Sequence, residues 1–191
     1  MSDVIWRRLR YTLSPQLDLY ESIAPLTKGK SVLEVGFCTG IGTLQMASYA
    51  SQIDAIETDP HAVVFASRII DLPNIWWGES DILNYDTLRR YDIVLMVEVL
   101  EHIQDWTGAL RMANKLLKVG GKLIMTSRNM NADLRRNELH EREWTALELK
   151  ENLSRFFGGV ELVDYQFNPV GTDTHITPLV ALAYKTEAGD D

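Results

Sequence analysis

The sequence predicts an α/β sandwich: a mainly parallel seven-stranded sheet with one antiparallel strand and helices on both faces. Three observations carry this reading. Short apolar runs alternate with stretches of helical periodicity along most of the chain. One run, YDIVLMVEV (91–99), is apolar almost throughout, as suits a central parallel strand buried on both faces. The last two runs, VELVDYQFNPV (160–170) and ITPLVALAYK (176–185), follow each other with no helix between them, which suggests one antiparallel strand at that side.

In chain order, Ser14-Pro15 opens a helix, with the serine as N-cap and the proline at the first helical position; it should run to about Leu26. SVLEVG (31–36) is a strand and GTLQMASYA (42–50) a helix. IDAIET (53–58) is the next strand. Asp59-Pro60 repeats the cap-plus-proline start for PHAVVFASRII (60–70). NIWW (74–77) is a short strand, and 91–99 the next. WTGALRMANKLLK (106–118) is a helix expected to stop at Gly120-Gly121, ahead of a strand over KLIMTS (122–127). Thr145 and Glu148 have capping-box spacing ahead of ALELKENLSRFF (146–157).

The chain has 191 residues, of which 46% are hydrophobic and 24% charged, enough for one fully cored domain over 1–191. Within it, 1–29 reads as an N-terminal helical segment, 128–144 as a candidate lid and 186–191 as a frayed tail. No apolar run approaches the roughly 20 residues of a membrane span, so no membrane partner is expected. The N-terminus lacks an apolar core followed by a small-residue cleavage site, and one cysteine excludes an internal disulfide. Both favour a reducing, cytoplasmic setting. Net charge of −8 argues against bulk nucleic-acid binding, which needs a basic field. The local clusters Arg7, Arg8, Arg10 and Arg128, Arg135, Arg136 read as solvated helix faces. The sequence says nothing of oligomeric state.

In sheets of this kind ligands bind beyond the carboxyl ends of the strands, so VLEVGFCTGIG (32–42) should line the site. A phosphate-binding GxxxxGK[ST] loop is excluded, because no lysine follows the glycines. The spacing Gly36-Phe37-Cys38-Thr39-Gly40-Ile41-Gly42 also fails the GxGxxG pattern of dinucleotide folds. A third possibility is a ligand without phosphates that must still lie close to the backbone.

VLEVGFCTG resembles the first motif of the class I S-adenosylmethionine-dependent methyltransferases, an acid followed by x-G-x-G-x-G. Glu34, Gly36 and Gly40 match; Cys38 stands at the middle glycine. Four further stretches agree in order and spacing: Glu57 in IETDP, about 20 residues beyond the turn, then ESDIL (79–83), YDIVLMVEVLEHI (91–103) and LLKVGGKLIMTS (116–127). HEREWT (140–145) is similar to a run found in many small-molecule members. The resemblance covers roughly residues 12 to 185.

The resemblance implies a Rossmann-like sandwich and S-adenosylmethionine as cofactor, with S-adenosylhomocysteine as product. It implies that Glu34 and the turn backbone (Gly36, Phe37, Cys38, Gly40) hold the methionine end. Glu57, with Thr58 beside it, receives the ribose hydroxyls, Asp81 the adenine amine, and Ile82 packs on the adenine face. Glu98 and Val99 lie near the methionine portion and the methyl group. Carbonyl and carboxylate acceptors suit an ammonium, a diol, an adenine and a sulfonium. Cys38 is expected to keep ordinary backbone dihedrals, so that its small side chain merely narrows the pocket.

Methyl transfer is a direct displacement, so alignment of the acceptor matters most. A hydroxyl acceptor also needs a base, for which Glu98, His102 and His140 are the candidates. The bland alternatives are a structural histidine at 102 and surface charges at His140 and Arg142; His61 and His175 read as structural. Glu98, Glu101, His102 and His140 supply carboxylate and imidazole ligands of types suited to a metal, and some O-methyltransferases with an E-x-x-E-H run use a divalent ion to orient a hydroxylated acceptor, but the run is also widespread in metal-free relatives, and no metal is expected here. The expected acceptor is a small molecule, through oxygen ahead of nitrogen or carbon. RNA or protein methylation and a non-catalytic scaffold are the competing readings.

Overall fold

The computed structural model describes residues 15–132 and 140–186. Ser14, the first arginine cluster, Arg135 and Arg136 lie outside them, as do residues 187–191 of the tail. The fold is α/β, with seven strands hydrogen-bonded in the order β3-β2-β1-β4-β5-β7-β6. By internal contacts the chain separates into two compact units at Thr87/Leu88.

In the first unit, α1 (Pro15–Ile23) continues into a 3-10 turn over Ala24–Thr27. Then come β1 (Ser31–Val35), α2 (Ile41–Ala47), β2 (Gln52–Glu57), α3 (Pro60–Ile69) and β3 (Ile75–Glu79). β1 pairs with β2 and β2 with β3, both parallel. Val32, Leu33, Ile53, Ala55 and Ile56 are fully buried, so the alternation of these two strands is lost to burial on both faces. Asp59 caps α3 by accepting from the His61 N–H at 2.9 Å, with Pro60 at the start. α2 stops three residues before the expected Ala50. Tyr49 and Ala50 both donate to the Met46 carbonyl and close its last turn.

The second unit holds β4 (Tyr91–Met96), α4 (Trp106–Leu116), β5 (Leu117–Ser127), α5 (Ala146–Leu153), β6 (Gly159–Val163) and β7 (Leu179–Tyr184). β4 and β5 are parallel, and β7 runs antiparallel to both β5 and β6. The single antiparallel strand expected from the last two runs is therefore β7. The capping box of α5 forms in full: the Thr145 hydroxyl accepts from the Glu148 N–H, and the Glu148 carboxylate accepts from the Thr145 N–H.

Two expectations are corrected. Gly120-Gly121 does not stop α4. The helix ends at Leu116, and both glycines lie inside β5, with Gly120 at φ +77° where the pairing with β4 shifts register. The strand at 91–99 ends at Met96, because Glu98 adopts φ +53° and turns the chain out of the sheet. Among the described residues, no helix is long and apolar enough to cross a membrane.

Candidate functional site

In the first unit the turn after β1 is built from three left-handed residues in alternation: Gly36 (φ +75°), Cys38 (φ +56°) and Gly40 (φ +78°). Cys38 thus departs from the ordinary dihedrals expected of it. It occupies the region that disfavours a Cβ, with strain of about 1–3 kcal/mol. A specific contact holds it there: the Cys38 N–H donates to Glu57 Oε2 at 3.0 Å. Glu57 Oε1 accepts from the Thr58 and Asp59 N–H groups at 2.8 and 3.2 Å and from the Thr58 hydroxyl at 3.2 Å. The acid at the end of β2 therefore organises the turn at the end of β1.

Gly40 is required twice over. Its φ is left-handed, and a Cβ there would lie 2.7 Å from the Trp77 ring and 3.1 Å from Ala66 Cβ. Trp77 also packs edge-on against Phe37, with ring centroids 4.7 Å apart. Phe37, Thr39 and Gly40 are buried, and the Thr39 hydroxyl has no hydrogen-bond partner among the described residues. Gly36 donates to the Ile56 carbonyl at 2.8 Å, which fixes the start of the turn.

Glu34 is 1% exposed. Tyr20 of α1 donates its hydroxyl to one carboxylate oxygen at 2.6 Å, and Thr43 of α2 donates to the other at 2.5 Å. Burial pushes this carboxyl up to about 7; the two hydroxyls oppose that rise, and the charge of Glu57 adds to it. Burial and the Glu34 charge also raise the Tyr20 phenol. After β3, Asp81 Oδ1 accepts from the Leu83 N–H at 2.9 Å and caps a 3-10 turn over Ile82–Asn84, in which Ile82 is buried.

The second unit gathers a different set. Glu98, just past β4, exchanges two hydrogen bonds with Thr126 of β5. The Thr126 hydroxyl accepts from the Glu98 N–H at 2.9 Å and donates to Oε1 at 2.8 Å. Val99 precedes a 3-10 turn over Leu100–His102. Glu101 in that turn is 0% exposed, and among the described residues its carboxylate oxygens find no well-aligned hydrogen-bond partner, the Glu98 carboxyl being the polar group beside them. Burial raises both acids, Glu98 and Glu101, and the charge of Glu98 raises Glu101 further.

The Glu101 carbonyl accepts from the Glu141 and Arg142 N–H groups at 2.8 and 3.4 Å. Those bonds bring His140 against His102, with ring centroids 4.8 Å apart and planes at 86°. His140 Nδ1 lies 2.7 Å from Glu143 Oε1, which also receives Arg128 at 3.2 Å. A cavity of about 300 Å³ beside this segment is lined by Met130, Glu141, Arg142 and Glu143.

The first unit thus brings together Glu34, Gly36, Phe37, Cys38, Gly40, Glu57 and Thr58. The second brings together Glu98, Glu101, His102 and His140. His61 is exposed on α3. His175 does not start the last strand; it sits on the loop before β7, its Nδ1 2.6 Å from the Asn131 carbonyl. Sequence reasoning missed Tyr20, Thr43, Thr126 and Glu143. Tyr20, Thr43 and Thr126 act through contacts 14, 9 and 28 residues apart that leave no local spacing signal, whereas Glu143 sits only three residues from His140.

Residues 5–165 match the methyltransferase domain family. Among curated proteins, the chain is 32% identical over 127 residues to a ubiquinone biosynthesis O-methyltransferase of Xanthomonas oryzae pv. oryzae, covering 64% of this chain and 49% of the relative. It is 29% identical over 99 residues to nodulation protein S of Azorhizobium caulinodans, covering 50% and 48%. The chain spans about half the length of the curated relatives it matches. In fold it is similar to the N-methyltransferase NodS of Bradyrhizobium japonicum, solved with S-adenosyl-L-homocysteine. The TM-score is 0.70 at 24% identity, covering 98% of this chain and 94% of that one.

Proposed function

The chain belongs to the methyltransferase-domain family, in its class I S-adenosylmethionine-dependent branch, and from that premise we propose that it methylates an oxygen of a small-molecule acceptor. S-adenosylmethionine supplies a methyl group already activated on a sulfonium. The residues of the first unit fit such a donor. Gly40 lets the left-handed turn pack directly on Trp77 and Ala66, and the buried Thr39 hydroxyl is an orphan that a bound ligand would satisfy. The observation that carries the reading is the Cys38 N–H bond to Glu57, because it ties the close-approach turn to the acid suited to a ribose diol.

In this reading Glu57 accepts from the ribose hydroxyls and Asp81 from the adenine amine, while Ile82 packs on the adenine. The backbone of residues 36–40 lies along the methionine portion. Glu34 acts behind the turn: its oxygens are engaged by Tyr20 and Thr43, so it sets the shape and charge of the turn from below. Glu98, His102 and His140 of the second unit serve the acceptor, taking its hydroxyl proton and orienting it. The single cysteine fits a cytoplasmic setting.

The similarity to an O-methyltransferase supports oxygen as the acceptor atom. The similarity in fold to the N-methyltransferase NodS favours a second reading, nitrogen. Incubating the chain with the donor and matched pairs of hydroxylated and amino acceptors, and measuring S-adenosylhomocysteine release, separates them. Release with hydroxylated acceptors supports oxygen. Release with amines alone transfers the assignment to nitrogen, and no release with any acceptor favours a non-catalytic role.

A further inference from the structure

We propose that Glu34 is the residue by which the site distinguishes the methyl donor from the demethylated product: the donor binds best with Glu34 ionised, and the product has no such preference. The inference rests on the reading of the first-unit turn as a donor site. It assigns to Glu34 a selectivity that changes with pH.

The geometry comes first. Glu34 lies in β1, two residues before the left-handed Gly36 that opens the turn. It is 1% exposed. From α1 it is faced by Tyr20 and from α2 by Thr43, whose hydroxyls donate to its two oxygens at 2.6 and 2.5 Å. From the end of β2 the charge of Glu57 reaches it, and Cys38 in the turn acts on the Tyr20 phenol beside it. No Lys, Arg or His side chain among the described residues pairs with it.

Two neutral hydroxyls and a second acid leave an ionised Glu34 poorly compensated. A carboxylate buried without a cation tends to hold a proton instead. Burial accordingly carries this group up to about 7, and Glu57 adds to the rise. Tyr20 and Thr43 oppose it, because both donate to the ionised form. The balance leaves the charge of Glu34 open to change near neutral pH.

The two ligands differ in charge at one atom. Both carry an α-ammonium and a carboxylate, but only the donor carries a sulfonium. The donor therefore brings one more positive charge to the turn. That charge compensates an ionised Glu34 and favours release of its proton; the product brings no equivalent. A ligand that prefers the ionised form binds more tightly as pH rises through the titration of the free group. Below that range Glu34 is neutral in the free chain, and donor and product are treated more alike. Above it Glu34 is ionised, and the donor is favoured. One unit charge felt through an effective dielectric near 20 changes the affinity ratio by about 3- to 30-fold.

The test is calorimetric titration of the full chain with S-adenosylmethionine and, separately, with S-adenosylhomocysteine. It is run at about pH 5.5, 6.5 and 7.5, below the range in which an α-amino group titrates. Two buffers of different ionisation enthalpy at each pH count the protons released. We expect the ratio of product to donor dissociation constants to rise about 3- to 30-fold from the lowest to the highest pH. At the middle pH, donor binding should release up to about one proton and product binding markedly less. Glu34→Gln should hold the ratio flat and abolish the difference in proton release. Tyr20→Phe removes one donor to the ionised form and should move the rise to higher pH. If Glu34→Gln does not fold, the wild-type proton count and Tyr20→Phe still decide. A wild-type ratio independent of pH, or equal proton release with both ligands, overturns the inference. So does a rise kept by folded Glu34→Gln, or one left in place by Tyr20→Phe. Binding of neither ligand at any pH overturns the donor reading and this inference with it, whereas binding of both at a constant ratio overturns this inference alone.

Discussion

Cys38 and Glu57 are joined by a hydrogen bond from the cysteine N–H to the carboxylate at 3.0 Å, and the cysteine holds a backbone φ of +56° to make it. The backbone at position 38 is thus essential to the turn. A glycine there would make the same bond without strain.

Cys38→Gly should accordingly leave the fold intact. Relief of a left-handed L-residue is worth about 1–2 kcal/mol, and the added freedom of the unfolded chain removes about 0.5–1 kcal/mol of it. Urea denaturation should show stability unchanged or raised by up to about 1 kcal/mol, and donor affinity should hold. Cys38→Val, β-branched in the same region, should lose on the order of 2 kcal/mol. A large loss of donor affinity in Cys38→Gly would give the thiol a role of its own.

Gly40→Ala meets two obstacles at once, a left-handed φ and the Trp77 ring at 2.7 Å. A cost of about 2–3 kcal/mol is expected, together with weaker donor binding, since the Phe37–Trp77 wall must shift. Thermal melting and a donor titration check both. An alanine variant as stable and as tight as wild type would show that Trp77 moves aside freely.

Glu34 makes stability depend on pH. The folded chain binds its proton more tightly than the unfolded chain, with a value of about 7 against the ordinary 4.5. The native state therefore carries the extra proton between those values, and stability falls as pH rises through that window. The contribution is fully present below about pH 4.5 and is lost above about pH 7, on the order of 3 kcal/mol for this fully buried group. Urea denaturation at pH 5 and pH 8 should show the decline, and Glu34→Gln should flatten it. The difference between the two profiles isolates Glu34 from Glu98 and Glu101, which burial also raises. An identical decline in Glu34→Gln would assign it to those other acids.

Thr145→Ala removes one half of the capping box on α5. A loss of about 1 kcal/mol is expected by denaturation, with donor affinity unchanged because the donor residues lie on other elements. A drop in donor affinity would mean that α5 supports the donor pocket.

The elements that the sequence revealed are those with local signals. Asp59-Pro60 and Thr145–Glu148 announce helix starts through residues two to three apart, and both caps form. The antiparallel β7 followed from two strand-like runs with no helix between them. Gly120-Gly121 misled because a glycine pair after a helix reads the same whether it ends the helix or bends the next strand. Glu34 and Glu57 stood out by position, but what they do depended on distant partners. Tyr20 reaches Glu34 across 14 residues, and Cys38 reaches Glu57 across 19. The backbone angle of Cys38 has no signature in the residue itself. In the second unit, Glu98, His102 and His140 were read as bases, and together with Glu101 as ligand types suited to a divalent ion. The backbone bonds that bring His140 to that turn pass through the carbonyl of Glu101, which no spacing rule exposes.

Calorimetric titration with S-adenosylmethionine, and with S-adenosylhomocysteine beside it, tests the central claim most directly when wild type is compared with Glu57→Ala. The turn-and-acid arrangement predicts one equivalent of each bound in the micromolar range. Glu57→Ala should weaken both by about 1–3 kcal/mol, roughly 5- to 150-fold, through loss of charge-assisted bonds. No binding by the folded wild-type chain, or equal affinity in Glu57→Ala, would contradict it.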